Sequence, residues 1–246
     1  DIKKLDKDFD IIVHLAANAR VYDLVVEPEL ALENFDMLFN ILEFARKNKI
    51  KRFLFASSRE VYGNAGKLTY KEDEASIDFC ESPYSASKVG GEALVRSYGN
   101  CYDINFIIVR FSNVYGKYDD SDRVVPLFIR QTKNNGDLNV FGKDKLLDFT
   151  YIDDSCDAIV KLIENFDKFK GESYNIAYGS GSTILEVARL IQSELGNKTK
   201  INIKDSRIGE VTKYVADVGK LKKAIRFSPK VDIEEGIKRS VEWYNN

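Results

Sequence analysis

Cysteine and histidine are scarce in this chain of 246 residues, which limits the metal and nucleophile chemistry open to it. The three cysteines, Cys80, Cys101 and Cys156, are an odd number without metal-ligand spacing, as expected of a reducing compartment. With a single histidine, His14, neither a His-based zinc site nor a Ser–His–Asp triad is easy to assemble. We therefore predict no metal site, and we interpret His14 as structural.

Long apolar runs and a strong charge of one sign are also missing. No apolar run approaches the roughly twenty residues of a membrane span. The first ten residues have no hydrophobic segment that could act as a signal peptide. The 37 basic and 39 acidic residues give a net charge of −2, which provides no general attraction to nucleic acid or to membranes. These features predict a cytoplasmic enzyme or binding protein with neither nucleic-acid nor membrane partners.

What the sequence does contain is an alternation of short apolar runs with helical patterns. This alternation is typical of βαβ units in a parallel sheet. Because ligands bind at the carboxyl ends of such strands, the loops that carry Ala16-Ala17, Ser57-Ser58 and Asn113 are expected to meet at one cleft. In the first half we expect strands at Ile11–Leu15, Arg52–Ser58 and Asn105–Phe111, and helices at Glu29–Asn48 and Tyr84–Tyr102.

After about Gly116 the elements become shorter, which predicts a second lobe. We predict an α/β fold in which residues 1–118 form a Rossmann-like, doubly wound parallel sheet that lacks its N-terminal strands. Residues 119–246 are expected to form mainly a smaller α/β substrate-binding lobe, with about 148–165 packing back on the first domain. Asp153 and Asp154 resemble a metal pair, but they precede a helical pattern and are expected to cap that helix.

Tyr84, Lys88 and Ser58 are the candidate catalytic residues. Tyr84 and Lys88 are four residues apart and therefore lie on one face of their helix. A tyrosine with a pKa near 10 is a poor base, and a nearby ammonium lowers that pKa. A serine hydroxyl at the end of the preceding strand can bind the same substrate oxygen. About one Tyr-x-x-x-Lys pair is expected by chance in a chain of this composition. The catalytic hypothesis therefore depends on the sequence around the pair.

That context resembles the extended short-chain dehydrogenase/reductases, and more narrowly the NAD-dependent nucleotide-sugar epimerase/dehydratase family. The motifs stand in family order between about residues 10 and 217, and they are HLAA, SSREVYG, SPYSASK, VRFSNVYG, DFTYIDD and RIGEV. In that family a bound NAD takes a hydride from a sugar carbon, usually C4, and later returns it. Between these steps the keto-sugar is epimerised, dehydrated or decarboxylated.

The resemblance implies roles for the catalytic and cofactor-binding residues. Tyr84 would be the base, Lys88 would lower its pKa and bind the nicotinamide ribose, and Ser58 would hold the sugar hydroxyl. The other cofactor-binding residues would be Leu15, Ala16, Ala17 and Asn34.

Substrate binding is implied for three further residues. Asn113 and Arg207 would contact the nucleotide diphosphate, and a guanidinium fork suits phosphate oxygens. Phe141 would pack on the nucleotide base. Family members are commonly dimers through two helices, one of which carries the Tyr and Lys, so a homodimer is also implied.

The sequence departs from the family pattern in three places. No Gly-x-x-Gly-x-x-Gly turn, which would hold the NAD pyrophosphate, occurs near the start, so we expect a fragment that binds NAD weakly or not at all. Arg59 stands where dehydratases carry an acid, although Glu60 fits part of the dehydratase pattern. Leu147 stands where an arginine commonly helps to grip the diphosphate.

These observations lead to one functional hypothesis and two alternatives. The first is an NAD-dependent, UDP-glucose 4-epimerase-like enzyme that works through a transient 4-keto sugar. The second is a 4,6-dehydratase or decarboxylase of the same family, and Glu60 is the residue that favours it. The third is a non-catalytic nucleotide-sugar-binding fragment.

Overall fold

The computed structural model describes residues 8–245. Numbered along the chain, its strands are β1 (Ile12–His14), β2 (Arg52–Ser58), β3 (Thr69–Tyr70), β4 (Asn105–Phe111), β5 (Asn113–Tyr115), β6 (Leu138–Phe141), β7 (Leu146–Tyr151), β8 (Ser173–Ile176), β9 (Gly181–Thr183), β10 (Ile201–Lys204) and β11 (Lys213–Ala216). Its helices are α1 (Val21–Val26), α2 (Glu29–Lys47), α3 (Pro83–Tyr102), α4 (Val124–Lys133), α5 (Ile152–Glu164), α6 (Phe166–Phe169), α7 (Ile184–Glu194), α8 (Gly219–Ile225) and α9 (Ile233–Asn245). Over this range no helix combines the length and the apolar character that a membrane crossing requires.

Four parallel strands in the order β1-β2-β4-β8 form the first sheet. Alternate residues of β2 point to opposite faces, so Phe53 and Phe55 pack under α2 and α3 while Leu54 packs against α5 and α8. Helices therefore cover both faces of the sheet. Because both faces are buried, successive residues of β2 and β4 are mostly apolar. The α/β class and the Rossmann-like, doubly wound parallel sheet are thereby confirmed.

Two details of this sheet differ from the sequence prediction. The first strand is shorter than the predicted Ile11–Leu15. Its apolar residues Ile12 and Val13 are half-buried, and Leu15, which follows the strand, is 56% exposed. Within residues 8–245, β1 pairs with β2 alone. In addition, β8 comes from residues that we assigned mainly to the second lobe, yet it pairs in parallel with β4.

A larger sheet and a separate strand pair come mainly from the second half of the chain, and β3 and β5 of the larger sheet come from the first half. The strands β3, β11, β7 and β5 are parallel, β9 joins β7 in antiparallel orientation, and β6 pairs with β10. Helices α4, α7 and α9 bury their apolar faces against these strands through residues such as Phe128, Ile191 and Val241. The cavity described below is lined by residues of β5 and β7 together with residues at the ends of β2 and β4.

The acidic pair Asp153 and Asp154 belongs to α5 and does not cap it, contrary to the prediction from the sequence. Asp153 and Asp154 lie in the first turn, where their charge suits the helix dipole, but Tyr151 occupies the cap position without a side-chain hydrogen bond. Asp154 is buried and accepts hydrogen bonds from the backbone N–H groups of Lys230 and Val231, both at 3.0 Å. Its carboxylate therefore fastens the segment before α9 to α5.

Candidate active site

A cavity of about 460 Å³ opens at the carboxyl ends of the strands of the first sheet. Its wall includes Ala17 after β1, Ser58 at the end of β2, and Asn113 after β4. Parallel strands place their carboxyl ends at one edge of the sheet, which explains why these loops meet. Tyr84 and Lys88 of α3 complete the wall on the same side. The cavity thus collects side chains from elements far apart in the sequence.

Helix α3 presents the candidate tyrosine and lysine because its first turn is strongly fixed. Ser82 caps the helix by accepting the backbone N–H of Ser85 at 3.2 Å, and the Ser85 hydroxyl accepts the N–H of Ser82 at 3.1 Å. Pro83 occupies the first helical position, where it costs no hydrogen bond. Tyr84 follows directly, and Lys88 lies one turn later on the same buried face.

Lys88 is buried beside Tyr84 and bonded to the strand below it. Its Nζ donates to the backbone oxygen of Ala56 at 2.8 Å and lies 5.7 Å from the centre of the Tyr84 ring. Burial lowers the pKa of Lys88 to about 8, because the charged form loses its hydration. The lysine therefore still carries most of its positive charge at neutral pH.

The pKa of Tyr84 is raised by burial to about 12, and the Ser58 hydroxyl that faces the phenol opposes this rise. Tyr84 is thus fully protonated at neutral pH in this structure. The geometry suits proton exchange with a ligand oxygen held between Ser58 and Tyr84. Positive charge added to the cavity by a ligand would favour the phenolate.

Of the residues expected along the cofactor, Leu15 and Ala17 line the cavity, whereas Ala16 is exposed and is not part of its wall. Asn34 lies behind the loop and holds it in place. Its Oδ1 accepts the N–H of Asn18 at 2.7 Å, and its Nδ2 donates to the Asn18 oxygen at 3.1 Å. Asn34 therefore acts on the loop that follows β1, and it does not line the cavity.

Asn113 and Arg207, two of the three residues expected to bind substrate, also line the cavity. The Asn113 amide donates to the backbone oxygen of Asp148 at 3.1 Å and so joins β5 to β7. The guanidinium carbon of Arg207 lies 4.0 Å from the centre of the Phe141 ring and 4.8 Å from that of Tyr22. Phe141, the third residue, therefore stacks on Arg207. Tyr22 lies on the short helix α1, and no motif in the sequence marks it as a site residue.

Arg59 and Glu60 form part of the cavity wall next to Ser58. They begin a 3-10 turn, Arg59–Tyr62, which is capped when the Ser58 hydroxyl accepts the backbone N–H of Glu60 at 3.2 Å. Both side chains are buried, and Arg59 Nη2 lies 2.9 Å from Glu60 Oε1. Burial raises the pKa of Glu60, and the Arg59 charge opposes this rise.

Several other residues of the wall were not among the predicted site residues. Leu147 of β7 is buried in the wall, so no guanidinium approaches the cavity from that position. Arg20 and Arg123 line the cavity from other segments and are both exposed. Nothing in the local sequence marks these two arginines, because only the fold brings them to the site.

The fold and the cavity together define a class of protein. A parallel sheet with helices on both faces carries a buried tyrosine and lysine one turn apart, with a serine opposite them at a strand end. This is the arrangement of an extended short-chain dehydrogenase/reductase. The profile of the NAD dependent epimerase/dehydratase family matches residues 2–177, and the chain belongs to this family of NAD-dependent enzymes.

Comparisons with individual proteins agree with this assignment. A putative UDP-glucose 4-epimerase of Methanocaldococcus jannaschii is 32% identical over 98% of this chain and 78% of its own length. The crystal structure of a UDP-glucuronic acid 4-epimerase from Bacillus cereus, in complex with UDP-glucuronic acid and NAD, is 27% identical, covers 100% of this chain and 80% of that chain, and has a TM-score of 0.92. A dTDP-glucose 4,6-dehydratase from Streptomyces venezuelae with NAD bound is 27% identical, with coverage of 96% and 73% and a TM-score of 0.90.

Proposed function

We propose that this protein epimerises a nucleotide sugar in an NAD-dependent reaction, through a transient 4-keto intermediate, in the manner of UDP-glucose 4-epimerases. The observation that carries this proposal is the meeting of Ser58, Tyr84 and Lys88 in one cavity. Two hydroxyl groups there can share a sugar oxygen, and the buried Lys88 ammonium lies 5.7 Å from the centre of the Tyr84 ring. These are the groups that proton removal during hydride transfer requires.

The wall of the cavity fits a nicotinamide cofactor on the side of the loop after β1. Ala17 and Ala19 line it, and their small side chains allow a ligand to approach the backbone closely. Lys88 adds a positive charge and a donor on the same side. When bound, NAD supplies the hydride acceptor and donor. The chain itself would orient the sugar through Ser58 and exchange the hydroxyl proton at the Tyr84 oxygen.

The opposite side of the cavity suits the nucleotide diphosphate. Arg207 reaches it from the second half of the chain, and Asn113 reaches it from the start of β5. A guanidinium binds two phosphate oxygens at once, which makes Arg207 the stronger contact. Phe141 and Tyr22 present aromatic rings beside Arg207, and a nucleotide base can stack on such rings.

Epimerisation is favoured over dehydration by the residue after Ser58. Elimination of water needs an acid and a base at adjacent carbons, and Arg59 cannot donate a proton at neutral pH. The second candidate is a 4,6-dehydratase or decarboxylase, and Glu60 is the observation in its favour. Its carboxyl is buried in the wall of the cavity, and burial raises its pKa.

Product analysis separates these candidates. The protein is incubated with NAD and, in turn, UDP-glucose, UDP-N-acetylglucosamine and UDP-glucuronate, and the products are resolved by chromatography and NMR. A C4 epimer supports the first proposal, whereas a 4-keto-6-deoxy sugar or a pentose supports the second. Tight nucleotide-sugar binding without turnover, at an NAD concentration that saturates the protein, would indicate a non-catalytic nucleotide-sugar-binding protein.

Replacement of Tyr84 by Phe tests the proposed base. Tyr84→Phe removes only the hydroxyl that exchanges the proton, so we expect turnover to fall by about 100-fold or more while UDP affinity changes less than about threefold. Tyr102→Phe, an exposed position at the far end of α3, is the matched control and should retain full turnover. Turnover of Tyr84→Phe within a few-fold of the parent would show that another group is the base.

We further propose a cytoplasmic homodimer. Cys80, Cys101 and Cys156 are all unpaired and exposed, which suits a reducing compartment. For the dimer, α2 exposes Leu32 and Phe39 beside α3 and so offers apolar surface for a second copy. Size-exclusion chromatography with light scattering tests this state, and a monomeric mass at micromolar concentration would contradict it.

A further inference from the structure

The loop between β10 and β11, residues 205–212, brings Arg207 to the cavity. These eight residues contain no helix or strand, and a short turn at Ile208–Gly209 is their local structure. The position of the loop therefore depends on its contacts with other parts of the chain. Tyr22 and Phe141 stack on the guanidinium, but a ring that stacks on a side chain does not fix the backbone that carries it.

The side chain of Asn64 contacts the backbone at the end of this loop. Its Oδ1 accepts the backbone N–H of Thr212 at 2.9 Å and the Thr212 hydroxyl at 3.1 Å. Its Nδ2 donates to the backbone oxygen of Glu210 at 3.3 Å. One amide group thus uses both its donor and its acceptor on a segment that lies more than a hundred residues further along the chain.

Asn64 is itself fixed against the segment that leads into α3. Its backbone N–H donates to Glu81 Oε1 at 3.1 Å, one residue before the cap of α3. The preceding residue, Gly63, has a φ of 57°, and a Cβ added there would lie 1.8 Å from the backbone oxygen of Phe79. Only glycine fits at this position, so the backbone before Asn64 packs directly on the same segment.

The loop packs on this segment as well. A Cβ added at Gly209 would lie 3.3 Å from Cβ of Ser82 and 3.4 Å from the backbone oxygen of Glu81. Asn64 therefore lies where the loop and the start of α3 already meet, and it joins them by hydrogen bonds on both sides.

A loop that is in place before its ligand arrives binds that ligand more tightly than a mobile loop. Ordering a mobile loop on binding costs free energy, and this cost lowers the affinity. Arg207 also needs a defined direction, because a guanidinium binds two phosphate oxygens at once only when its fork faces them. The hydrogen bonds of Asn64 reach the chain shortly after Arg207 and restrict the backbone that carries it.

We propose that Asn64 is a positioning residue, which holds the loop in place so that Arg207 can bind a diphosphate. Asn64 is exposed and is not part of the cavity wall, so it acts through Arg207 and does not touch the ligand. This inference rests on the proposed function, because it assumes that a nucleotide diphosphate binds Arg207. It goes beyond that proposal in assigning a role to a residue outside the cavity.

Isothermal titration with UDP tests this role without requiring turnover. The parent protein, Asn64→Ala, Arg207→Met and the double variant form a cycle. We expect Asn64→Ala to weaken UDP binding about fivefold in the parent, because the loop loses three hydrogen bonds. In the Arg207→Met background the same change should weaken binding by less than about twofold, since the loop then has no guanidinium to position.

A conservative variant separates positioning from the mere presence of an asparagine. Asn64→Asp retains the oxygen that accepts both hydrogen bonds from Thr212, and it should recover part of the lost affinity. Arg189→Met removes an exposed arginine of α7 outside the cavity, and it should leave UDP affinity unchanged.

Asn197→Ala is the matched control for Asn64→Ala. The Asn197 amide donates to the backbone oxygen of Thr132 and to Asn135 Oδ1, both at 2.8 Å, and so joins the segment after α7 to the end of α4. None of these three residues lines the cavity. Its loss should leave UDP affinity unchanged even where it lowers the melting temperature.

Each outcome decides between the two proposals. If Asn64→Ala binds UDP as the parent does, or loses the same factor with and without Arg207, the positioning role is refuted and the proposed function stands. If UDP and nucleotide sugars fail to bind the parent protein, the proposed function fails, and the positioning role fails with it. Should Asn64→Ala not fold, Thr212→Val removes the hydroxyl bond alone. It should then weaken UDP binding by about two- to threefold in the parent and leave it unchanged in Arg207→Met.

Discussion

At the scale of single residues, burial controls the protonation of the groups around the cavity. It raises the pKa values of Tyr84 and Glu60 and lowers those of Lys88 and His14, and in each case it is the largest cause. All four groups are thereby driven toward their neutral forms. Tyr84, Lys88 and Glu60 line the cavity, so a charge brought into it by a ligand would act on their protonation.

The chemical identity of the site could be predicted from the sequence, but its surroundings could not. Tyr84 and Lys88 share a face because four residues make about one helical turn, and this follows from spacing alone. The stacking of Tyr22 and Phe141 on Arg207 depends on three segments that only the fold brings together. No local pattern marks such a contact. The same holds for Asn34, whose partner Asn18 lies on a different element.

His14 provides a test of this burial at the residue scale. It is buried against Phe53 and Phe55, and its pKa is lowered from 6.5 to about 4, first by burial and then by Lys88. Between pH 6.5 and pH 4, His14 therefore binds a proton in the unfolded chain but stays neutral in the folded protein. Stability must fall as the pH drops through this window, by about 2 kcal/mol from this residue.

We expect His14→Phe to flatten that part of the pH dependence. Urea unfolding of the parent and the variant at several pH values between 7 and 4 measures the difference. The buried Asp148, with a pKa raised to about 6, titrates in both proteins and cancels in the comparison. Parallel curves for the two proteins would mean that His14 takes up its proton in the folded state as readily as in the unfolded one.

At the scale of elements, length decided how well the fold could be predicted. The predicted helix Glu29–Asn48 is α2, Glu29–Lys47, because five turns of apolar periodicity leave little freedom in the assignment. Helix α1 has six residues and no side-chain cap, so its sequence carries no comparable signal. The pairing of β8 with β4 was not predicted because pairing depends on tertiary packing, which a run of four residues does not encode.

Helix α3 is joined to the first sheet by a buried polar network as well as by apolar packing. Glu92 lies one turn beyond Lys88 and accepts two hydrogen bonds from Arg110 of β4, at 2.7 and 2.8 Å. The Ser57 hydroxyl donates to the same carboxylate at 2.6 Å, next to the proposed catalytic Ser58. This network links the helix that carries Tyr84 to the strand that carries Ser58.

We expect the loss of one partner in this network to be costly. Glu92→Ala leaves the Arg110 guanidinium buried without its carboxylate, and the free energy of unfolding should fall by about 3 kcal/mol or more. The double variant Glu92→Leu/Arg110→Met removes both charges and should recover much of that loss. Urea denaturation of the parent, Glu92→Leu, Arg110→Met and the double variant forms the cycle. Additive losses in the double variant would show that the two side chains do not interact.

At the scale of the whole molecule, the cavity depends on contacts between the two halves of the chain. The loop that carries Arg207 belongs to the second half, yet it packs on α1 of the first half through Tyr22. A Cβ added at Gly209 of this loop would lie 2.7 Å from a methyl carbon of Val25, so the backbone of the loop packs closely against α1. A ligand that binds Arg207 is therefore held where the two halves meet.

This geometry makes binding and global stability dependent on each other. A ligand that binds only the folded protein stabilises it by about 2.7 kcal/mol at one hundred times its dissociation constant. Saturating UDP should accordingly raise the melting temperature of the parent protein. Arg207→Met removes a charge-assisted phosphate contact, and we expect UDP affinity to fall by roughly 10- to 100-fold. The rise in melting temperature should shrink in proportion to the logarithm of that change.

Arg189→Met again serves as the matched control, because it removes an arginine from the surface of α7 and leaves the cavity intact. Its melting temperature should respond to UDP as that of the parent does. Without ligand, Arg207→Met should melt close to the parent, since methionine can also pack between Tyr22 and Phe141. If Arg207→Met were much less stable than the parent without UDP, Arg207 would have a structural role in the folded protein. An unchanged response to UDP would place the diphosphate on other residues, of which Arg20 and Arg123 already line the cavity.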